Sequence, residues 1–398
     1  MKPVLLAAPH RPLFFIGIAQ TLCVALWWLA DLGGRYAGWY PPLAWALPPT
    51  LAHAHLMIYG VFPPIMFGFL MTAMPNWVGQ PIRRGEYLAT FFLLAGGLAL
   101  MDTGLWAGPT IFAAGGGLHL LGWAAGIAAL ARITFTGKAR SKQDPLLILA
   151  ALTAGWLGAA ALPGWLLTQN PAILAFSAPV GIWLFLLPVF FTVGHRMIPF
   201  FSERALPGFT PRRVAWILPT VLWGGVIHGG LEWAGLSAWT WPTDLIMALA
   251  ALRAAVDWGL RRCFAVRLLA MLHVSLATLA IALLLYALQS LGLALGNAPW
   301  LGRAPLHALT MGYFSAMLLA MVSRVSLGHS GRPLAADRLT WGCYWGLLAA
   351  AVLRIAGEWP GAHLLIVAAL GLWLACLAAW GIRTLPVYWR PRADGRPG

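Results

Sequence analysis

Long apolar stretches alternate with short polar segments along the whole chain. A helix that crosses a bilayer needs about 20 mostly apolar residues, because the hydrocarbon core is roughly 30 Å thick and each helical residue rises about 1.5 Å. The pattern predicts an all-α, polytopic membrane bundle of about twelve helices in a single transmembrane domain, residues 1–398. The predicted spans lie near 12–31, 49–73, 87–107, 109–132, 145–167, 172–195, 213–232, 241–260, 264–288, 302–323, 339–357 and 361–383.

Composition agrees with this pattern. Hydrophobic residues make up 61% of the 398 positions and charged residues 9%, whereas a soluble domain carries roughly 25% charged residues. Such a chain cannot cover a folded surface in water, and lipid is therefore its solvent.

The basic residues fall almost entirely on one side of the predicted bundle. From Lys2 to Arg396, 23 Lys and Arg positions lie on that side, and three lie on the other: Arg35, Arg303 and Arg354. The positive-inside rule then predicts an inner-membrane protein with both termini in the cytoplasm. The net charge of +15 is a topology signal that favours contact with anionic membrane lipid, not with nucleic acid.

Histidines dominate the ionisable residues predicted inside the membrane. Acidic residues fall in loops or at span ends, and only Asp102 lies clearly within a span. Neutral imidazoles with few carboxylates suit haem iron and copper, and they suit a proton- or cation-coupled transporter less well. Seven of the ten histidines lie within predicted spans: His53, His55, His119, His228, His273, His307 and His363.

Depth and spacing single out three of these histidines. His53 and His55 lie roughly 6–9 Å below the outer end of their helix, and His307 lies at a similar depth. Positions i and i+2 differ by about 200° around a helix, so His53 and His55 are predicted to serve two different centres. His119 and His273 lie closer to the midplane.

Two other interpretations of these histidines stay open. Any of them could instead be hydrogen-bonded to a backbone carbonyl or a hydroxyl on a neighbouring helix. His228 and His363 lie near an interface, where we expect partly hydrated side chains.

Two further patterns recur along the chain. His55-x4-Gly60-x-Phe62 in the second span resembles His307-x4-Gly312-x-Phe314 in the tenth. The second, sixth and tenth spans also each end in a polar segment, which hints at three four-helix units, with chance recurrence as the alternative.

Polar residues at the cytoplasmic ends form a second candidate feature. Arg196 and Arg324, with Asn76 and His329, are predicted to line a cytoplasmic vestibule or to bind haem propionates. The alternative for the arginines is that they are topology-setting charges that extend to lipid headgroups.

The sequence resembles the NnrS family of haem- and copper-containing bacterial membrane proteins. The stretches that carry the likeness are His53–Gly60, Gly68–Gly79, Arg196–Phe201, His307–Gly312 and Ser323–Leu334. The resemblance implies haem and copper, with His53, His55 and His307 as ligands and metal-site residues. His273 and then His119 are further ligand candidates. The chain departs from the common family pattern at Leu56, where many members have Glu.

The four cysteines are isolated and no Cys-x-x-Cys-His motif is present, so the haem is expected to be non-covalent and of b type. We therefore predict a protein of the nitric-oxide response or denitrification that binds or turns over nitric oxide or its iron adducts. An open axial position on haem iron would bind the diatomic gas. Whether the protein is an enzyme stays open. The alternatives are a secondary transporter or metal exporter without haem, and a quinol-linked membrane oxidoreductase.

Overall fold

The computed structural model describes residues 4–395, so the predicted cytoplasmic charges Lys2 and Arg396 lie outside the described part. Within that part the chain forms helices and turns, with no strand. In chain order the long helices are α1 (His10–Arg35), α2 (Pro49–Val78), α3 (Arg84–Ala107), α4 (Pro109–Thr136), α5 (Gln143–Thr168), α6 (Ala172–Ala205), α7 (Ile217–Trp233), α8 (Trp241–Trp258), α9 (Arg267–Ala294), α10 (Ala304–His329), α11 (Arg338–Ala356) and α12 (His363–Trp389).

Ten of the predicted spans are confirmed as helices long and apolar enough to cross a membrane. The other two, predicted at 213–232 and 241–260, are the helices α7 and α8 of 17 and 18 residues. Helix α7 is shorter than the roughly 20 residues of a typical span, and α8 carries Asp244, Arg253 and Asp257.

Several helices extend beyond their predicted ends. Helix α2 continues past the predicted end at 73 through polar Asn76 and stops at Gly79, whose φ of 70° is a left-handed conformation that favours glycine. Helix α6 likewise runs on to Ala205. Hydropathy marks where a helix leaves the apolar layer, not where its hydrogen bonding stops.

The described residues divide into two compact units. Unit 1 takes in residues up to 189, with 329–331 and the segment from 383 onwards. Unit 2 takes in 190–328 and 332–382. The division falls within α6.

Three helices contain a π-helical segment, in which the backbone bonds run from i to i+5 instead of i to i+4. The segments are Leu56–Val61 in α2, Val180–Leu186 in α6 and Ala308–Ser315 in α10. They occur in the second, sixth and tenth long helices. These are the helices whose predicted spans each end in a polar segment. Directly before the three segments stand His55, Pro179 and His307, so two of the three carry a histidine there.

Glycines bring α3 and α4 into backbone contact in unit 1. A Cβ atom at Gly97 would lie 2.5 Å from the backbone nitrogen of His119, and one at Gly115 would lie 2.6 Å from that of Met101. Small residues permit this close approach of helices in lipid. The contact fixes the height of His119 beside α3.

The two ends of the described chain meet within unit 1. The buried Arg11 donates from Nη1 to the backbone carbonyls of Tyr388 at 3.1 Å and Arg390 at 3.0 Å. The amide of Ala393 donates to the carbonyl of Ser330 at 2.9 Å. The C-terminal segment is thereby held against the start of α1.

In unit 2, α9 is the central helix, and it packs on α8, on the π-helical segment of α10 and on other elements. Thr278 of α9 donates from Oγ1 to the carbonyl of Gly312 at 2.7 Å. Tyr344 of α11 donates to the carbonyl of Met271 at 2.9 Å. Side-chain hydrogen bonds thus join α9 to α10 and to α11 inside an apolar core.

We expect Gly115→Ala to lower the stability of the protein, because the added methyl meets backbone that cannot move aside. Overpacking of this kind costs about 1–3 kcal/mol. Thermal unfolding in lipid nanodiscs measures the effect.

Gly117→Ala is the matched control, because nothing lies within 4 Å of its added Cβ and alanine favours helix over glycine by about 1 kcal/mol. An equal fall in melting temperature for both variants would contradict the close approach of α3 and α4.

Candidate cofactor sites

His55 lies at the junction of the α-helical and π-helical parts of α2. Its side chain is buried, with ring centroids 5.4 Å from Tyr59 and 5.8 Å from Phe112. Its Nδ1 atom is buried and has no hydrogen-bond partner among residues 4–395. A buried imidazole nitrogen without a partner is costly, and a metal ion bound there would satisfy it.

His119 of α4 contacts the π-helical segment that follows His55. Its Nε2–H donates to the backbone carbonyl of Tyr59 at 2.8 Å. A π-turn shifts the hydrogen-bond register and leaves carbonyls without their usual α-helical donor, and His119 supplies a donor. His119 is also close enough to His55 for the two rings to interact electrostatically. The structure therefore gives His119 a positioning contact, which is the hydrogen-bonded alternative that the sequence left open.

The side chain of Tyr59 closes the same region. Its hydroxyl donates to the carbonyl of Ser177 at 2.5 Å, and its ring stacks with Phe185 at 6.3 Å between centroids. A Cβ at Gly158 or Gly181 would collide with the hydroxyl. Tyr59 thus joins the π-helical segments of α2 and α6 within unit 1.

His53 lies in different surroundings from His55. Its ring stacks on Trp28 with centroids 4.1 Å apart and planes 9° from parallel. The guanidinium of Arg35 lies 5.0 Å from the Trp28 ring and pairs with the buried Asp31. His53 is half-buried, next to an aromatic and charged cluster.

His307 occupies the corresponding position in unit 2. Its Nδ1–H donates to the carbonyl of Arg303 at 3.0 Å. A histidine that donates from one nitrogen to a carbonyl keeps a lone pair on the other nitrogen, in the orientation of a metal ligand. Nε2 of His307 is therefore the ligating atom that this tautomer presents.

An ion pair lies beside His307. Arg354 donates from Nη1 to Glu358 at 2.5 Å, and both groups interact electrostatically with His307. Burial alone would raise the pKa of the Glu358 carboxyl, but the backbone of Arg303 and the guanidinium of Arg354 outweigh it and lower the pKa. Arg35, Arg303 and Arg354 were the three arginines on the minority side. Each lies beside a candidate ligand: Arg303 and Arg354 at His307, and Arg35 near His53.

His273 does not share a site with His307. It is buried, and its Nε2 is hydrogen-bonded to the hydroxyl of Ser202 at 2.9 Å. The contact of Thr278 with Gly312 sets the register of α9 against α10, which puts the two histidines about 15 Å apart along the helix axes. The antiparallel helices therefore place the two histidines at different depths, which does not favour one metal bound by both, and the ligand role of His273 stays a prediction.

The four polar residues predicted at the cytoplasmic ends of the spans belong to two different units. Asn76 and His329 belong to unit 1, and Arg196 and Arg324 belong to unit 2. Arg324 lies over the Phe201 ring at 3.9 Å from its centroid. Arg324 is also 17 residues from His307, or about 25 Å along α10, which separates it from a cofactor held at His307.

Two buried groups were missed by the sequence analysis. His228, expected to be partly hydrated, is only 2% exposed and lies 2.5 Å from Asp244. Asp244, at the start of a predicted span, is fully buried. The sequence did offer a signal for this pair, since His228 and Asp244 are polar residues in two spans that are adjacent along the chain. Within residues 4–395, no group of three or more His, Cys, Asp or Glu side chains is arranged to hold a metal ion.

The family model described as NnrS protein matches residues 4–392. The chain belongs to the NnrS family. No curated relative matches it. Membership of the NnrS family suggests a role in the nitric-oxide response, in a membrane protein whose ten apolar helices are described above.

We expect His119→Leu to destabilise the fold, because it removes the donor to the Tyr59 carbonyl and leaves a buried acceptor unsatisfied. The cost is about 1–3 kcal/mol, measured by thermal unfolding of the cofactor-free protein.

His119→Gln tests the same contact, since an amide can donate to that carbonyl. Recovery of stability by Gln but not by Leu supports the positioning role. Equal stability in all three proteins would contradict it.

Proposed function

We propose that this NnrS-family protein binds haem and copper in the bacterial inner membrane and binds or turns over nitric oxide or its iron adducts. The observation that carries the proposal is the repeated placement of a histidine directly before a π-helical segment, at His55 and at His307. π-turns occur preferentially at functional sites. Family membership supplies the context of nitrogen-oxide chemistry.

The two histidines fit a metal or haem iron on independent grounds. His55 has a buried Nδ1 without a hydrogen-bond partner in the described chain. His307 has its Nδ1–H fixed on a carbonyl, so that Nε2 is unprotonated. We assign His55 and His307 as the principal ligands and His53 as a further ligand in its separate surroundings.

Arginines near these sites suit the carboxylates of haem. A guanidinium has five donors, so a carboxylate partner in the protein leaves others for a propionate. We propose Arg354 for a haem at His307 and Arg35 for one near His53. Arg196 and Arg324, for which the sequence left a propionate role open beside a topology-setting one, are not part of this proposal.

The chemistry follows from the ligand set. Haem held by these histidines would supply an iron that can bind a diatomic gas. The aromatic rings of Tyr59 and Phe112 border the buried His55 and would exclude water from a group bound there. The carbonyl of Arg303 holds the proton of His307 at Nδ1 and keeps its ring oriented.

We also propose the full topology. All twelve helices cross the membrane, α7 and α8 as short spans, and both termini lie in the cytoplasm. The basis is the distribution of 23 basic residues on one side and three on the other.

We expect His55→Ala and His307→Ala each to lower bound haem or copper by at least about tenfold relative to wild type, because each removes a direct ligand. Absorption spectra and metal analysis of protein produced with adequate haem and copper measure the loss. The cofactor that is lost from each variant, haem or copper, is the one that the substituted histidine binds.

His363→Ala is the control, because His363 is exposed at the start of α12. Wild-type protein without a Soret band or copper would overturn the proposal. Substrate counterflow in proteoliposomes by haem-free protein would instead indicate the transporter, and haem reduction by a quinol analogue would indicate the oxidoreductase.

We expect Arg354→Gln to weaken haem retention several-fold while copper content is unchanged, because only haem carries propionates. Haem transfer to apomyoglobin measures retention. Arg253→Gln is matched, since Arg253 forms a similar i,i+4 pair with Asp257 at an exposed position. Equal haem loss from both variants would contradict the propionate role.

A further inference from the structure

Unit 2 contains a buried imidazole–carboxylate pair that the cofactor proposal does not use. His228 of α7 and Asp244 of α8 are 2% and 0% exposed. Their Nδ1 and Oδ1 atoms are 2.5 Å apart. The pair lies between helices whose surrounding residues are largely apolar. Ionisable groups in such a place are costly and are functional candidates by default.

Two further titratable groups face this pair. Glu232, one turn beyond His228 on α7, has its Oε2 3.9 Å from Nε2 of His228. The ring of Tyr286 on α9 meets the imidazole edge-on at 5.0 Å between centroids. Asp244, Glu232 and Tyr286 are thus the titratable groups that α7, α8 and α9 present to His228 in the described structure.

The three main groups form a series from surface to interior. The side chain of Glu232 is 39% exposed, that of His228 3% and that of Asp244 0%. Each nitrogen of the imidazole faces a different carboxylate. A proton could therefore enter one side of the ring while another leaves from the opposite side.

The second carboxylate oxygen of Asp244 is available to the proposed chemistry. Its Oδ2 atom is buried and has no hydrogen-bond partner within the described chain. An ionised carboxylate in an apolar interior needs donors to both oxygens to offset its lost hydration. Oδ1 of Asp244 has the Nδ1–H of His228 as its donor, and Oδ2 is the oxygen at which such a donor is missing in the described chain.

The short distance between His228 and Asp244 also shows whether a proton or a metal ion fits between them. A metal ion bound by both atoms at about 2.0–2.2 Å in tetrahedral geometry would hold them roughly 3.3 Å apart. The observed 2.5 Å leaves room for a proton between them, not for a metal ion.

We propose that Glu232, His228 and Asp244 form a proton-loading relay in unit 2. Before loading, neutral His228 donates its Nδ1–H to ionised Asp244. A proton from Glu232 then binds Nε2, and the Nδ1 proton passes to Oδ1 of Asp244. The imidazole ends neutral with its proton on Nε2, and Asp244 ends as the neutral acid. Glu232, now ionised, regains a proton from water.

Infrared difference spectroscopy of the full chain in lipid nanodiscs tests this relay. Wild type is expected to show a carboxylic-acid C=O band that grows when the pH is lowered. Asp244→Asn is expected to remove that band. In His228→Gln the band should persist at high pH, because the buried carboxylate has lost the imidazole Nδ1–H that stabilises its ionised form. The absence of a band that depends on Asp244 overturns the proposal.

Glu232→Gln keeps the test decisive even where His228→Gln fails to fold, because Glu232 lies at the exposed end. After a pH jump, this variant should load Asp244 at least tenfold more slowly with the same final amplitude. Unchanged loading kinetics overturn the relay. Asp257→Asn at the other end of α8 is the control and should change neither amplitude nor rate. Since protein without haem or copper can be used, the result is independent of the proposed function.

Discussion

Every backbone carbonyl inside a membrane must find its donor within the protein, because lipid offers none. The π-helical segments depend on this constraint more than any other part of the molecule. Each shifts the helical register, and in the segments of α2 and α10 a side chain from another helix donates to one of the carbonyls. His119 donates to Tyr59 in unit 1, and Thr278 donates to Gly312 in unit 2. The position of each candidate ligand therefore depends on a residue far away in sequence.

The two halves of the candidate cofactor machinery share one local construction. His55 and His307 each end a short α-helical segment, and a π-helical segment follows at once. Their surroundings then differ, since His55 is enclosed by aromatic rings and His307 lies beside the Arg354–Glu358 ion pair. The same backbone device can thus present one imidazole to an apolar pocket and another to a charged one.

Hydropathy was sufficient for the membrane class and for most helices, because span length is fixed by bilayer thickness. It failed where the deciding interaction is tertiary. The π-helical segments could not be predicted, since their capping donors, His119 and Thr278, are remote in sequence. The burial of His228 followed from its contact with Asp244 on the next helix. The depth of His273 relative to His307 required the register of α9 against α10. The similar sequences around His55 and His307 could be recognised without the structure. That each histidine precedes a π-helical segment could be seen only from the backbone.

The contact of Arg11 with the C-terminal segment bears on how the chain is made. Arg11 is synthesised well before its acceptors, the carbonyls of Tyr388 and Arg390, which lie more than 370 residues later in the chain. Unit 2 is complete in sequence by residue 382, before the closing segment of unit 1 is synthesised. The guanidinium of Arg11 therefore gains these acceptors only after all of unit 2 has been synthesised, so unit 1 is closed later than unit 2.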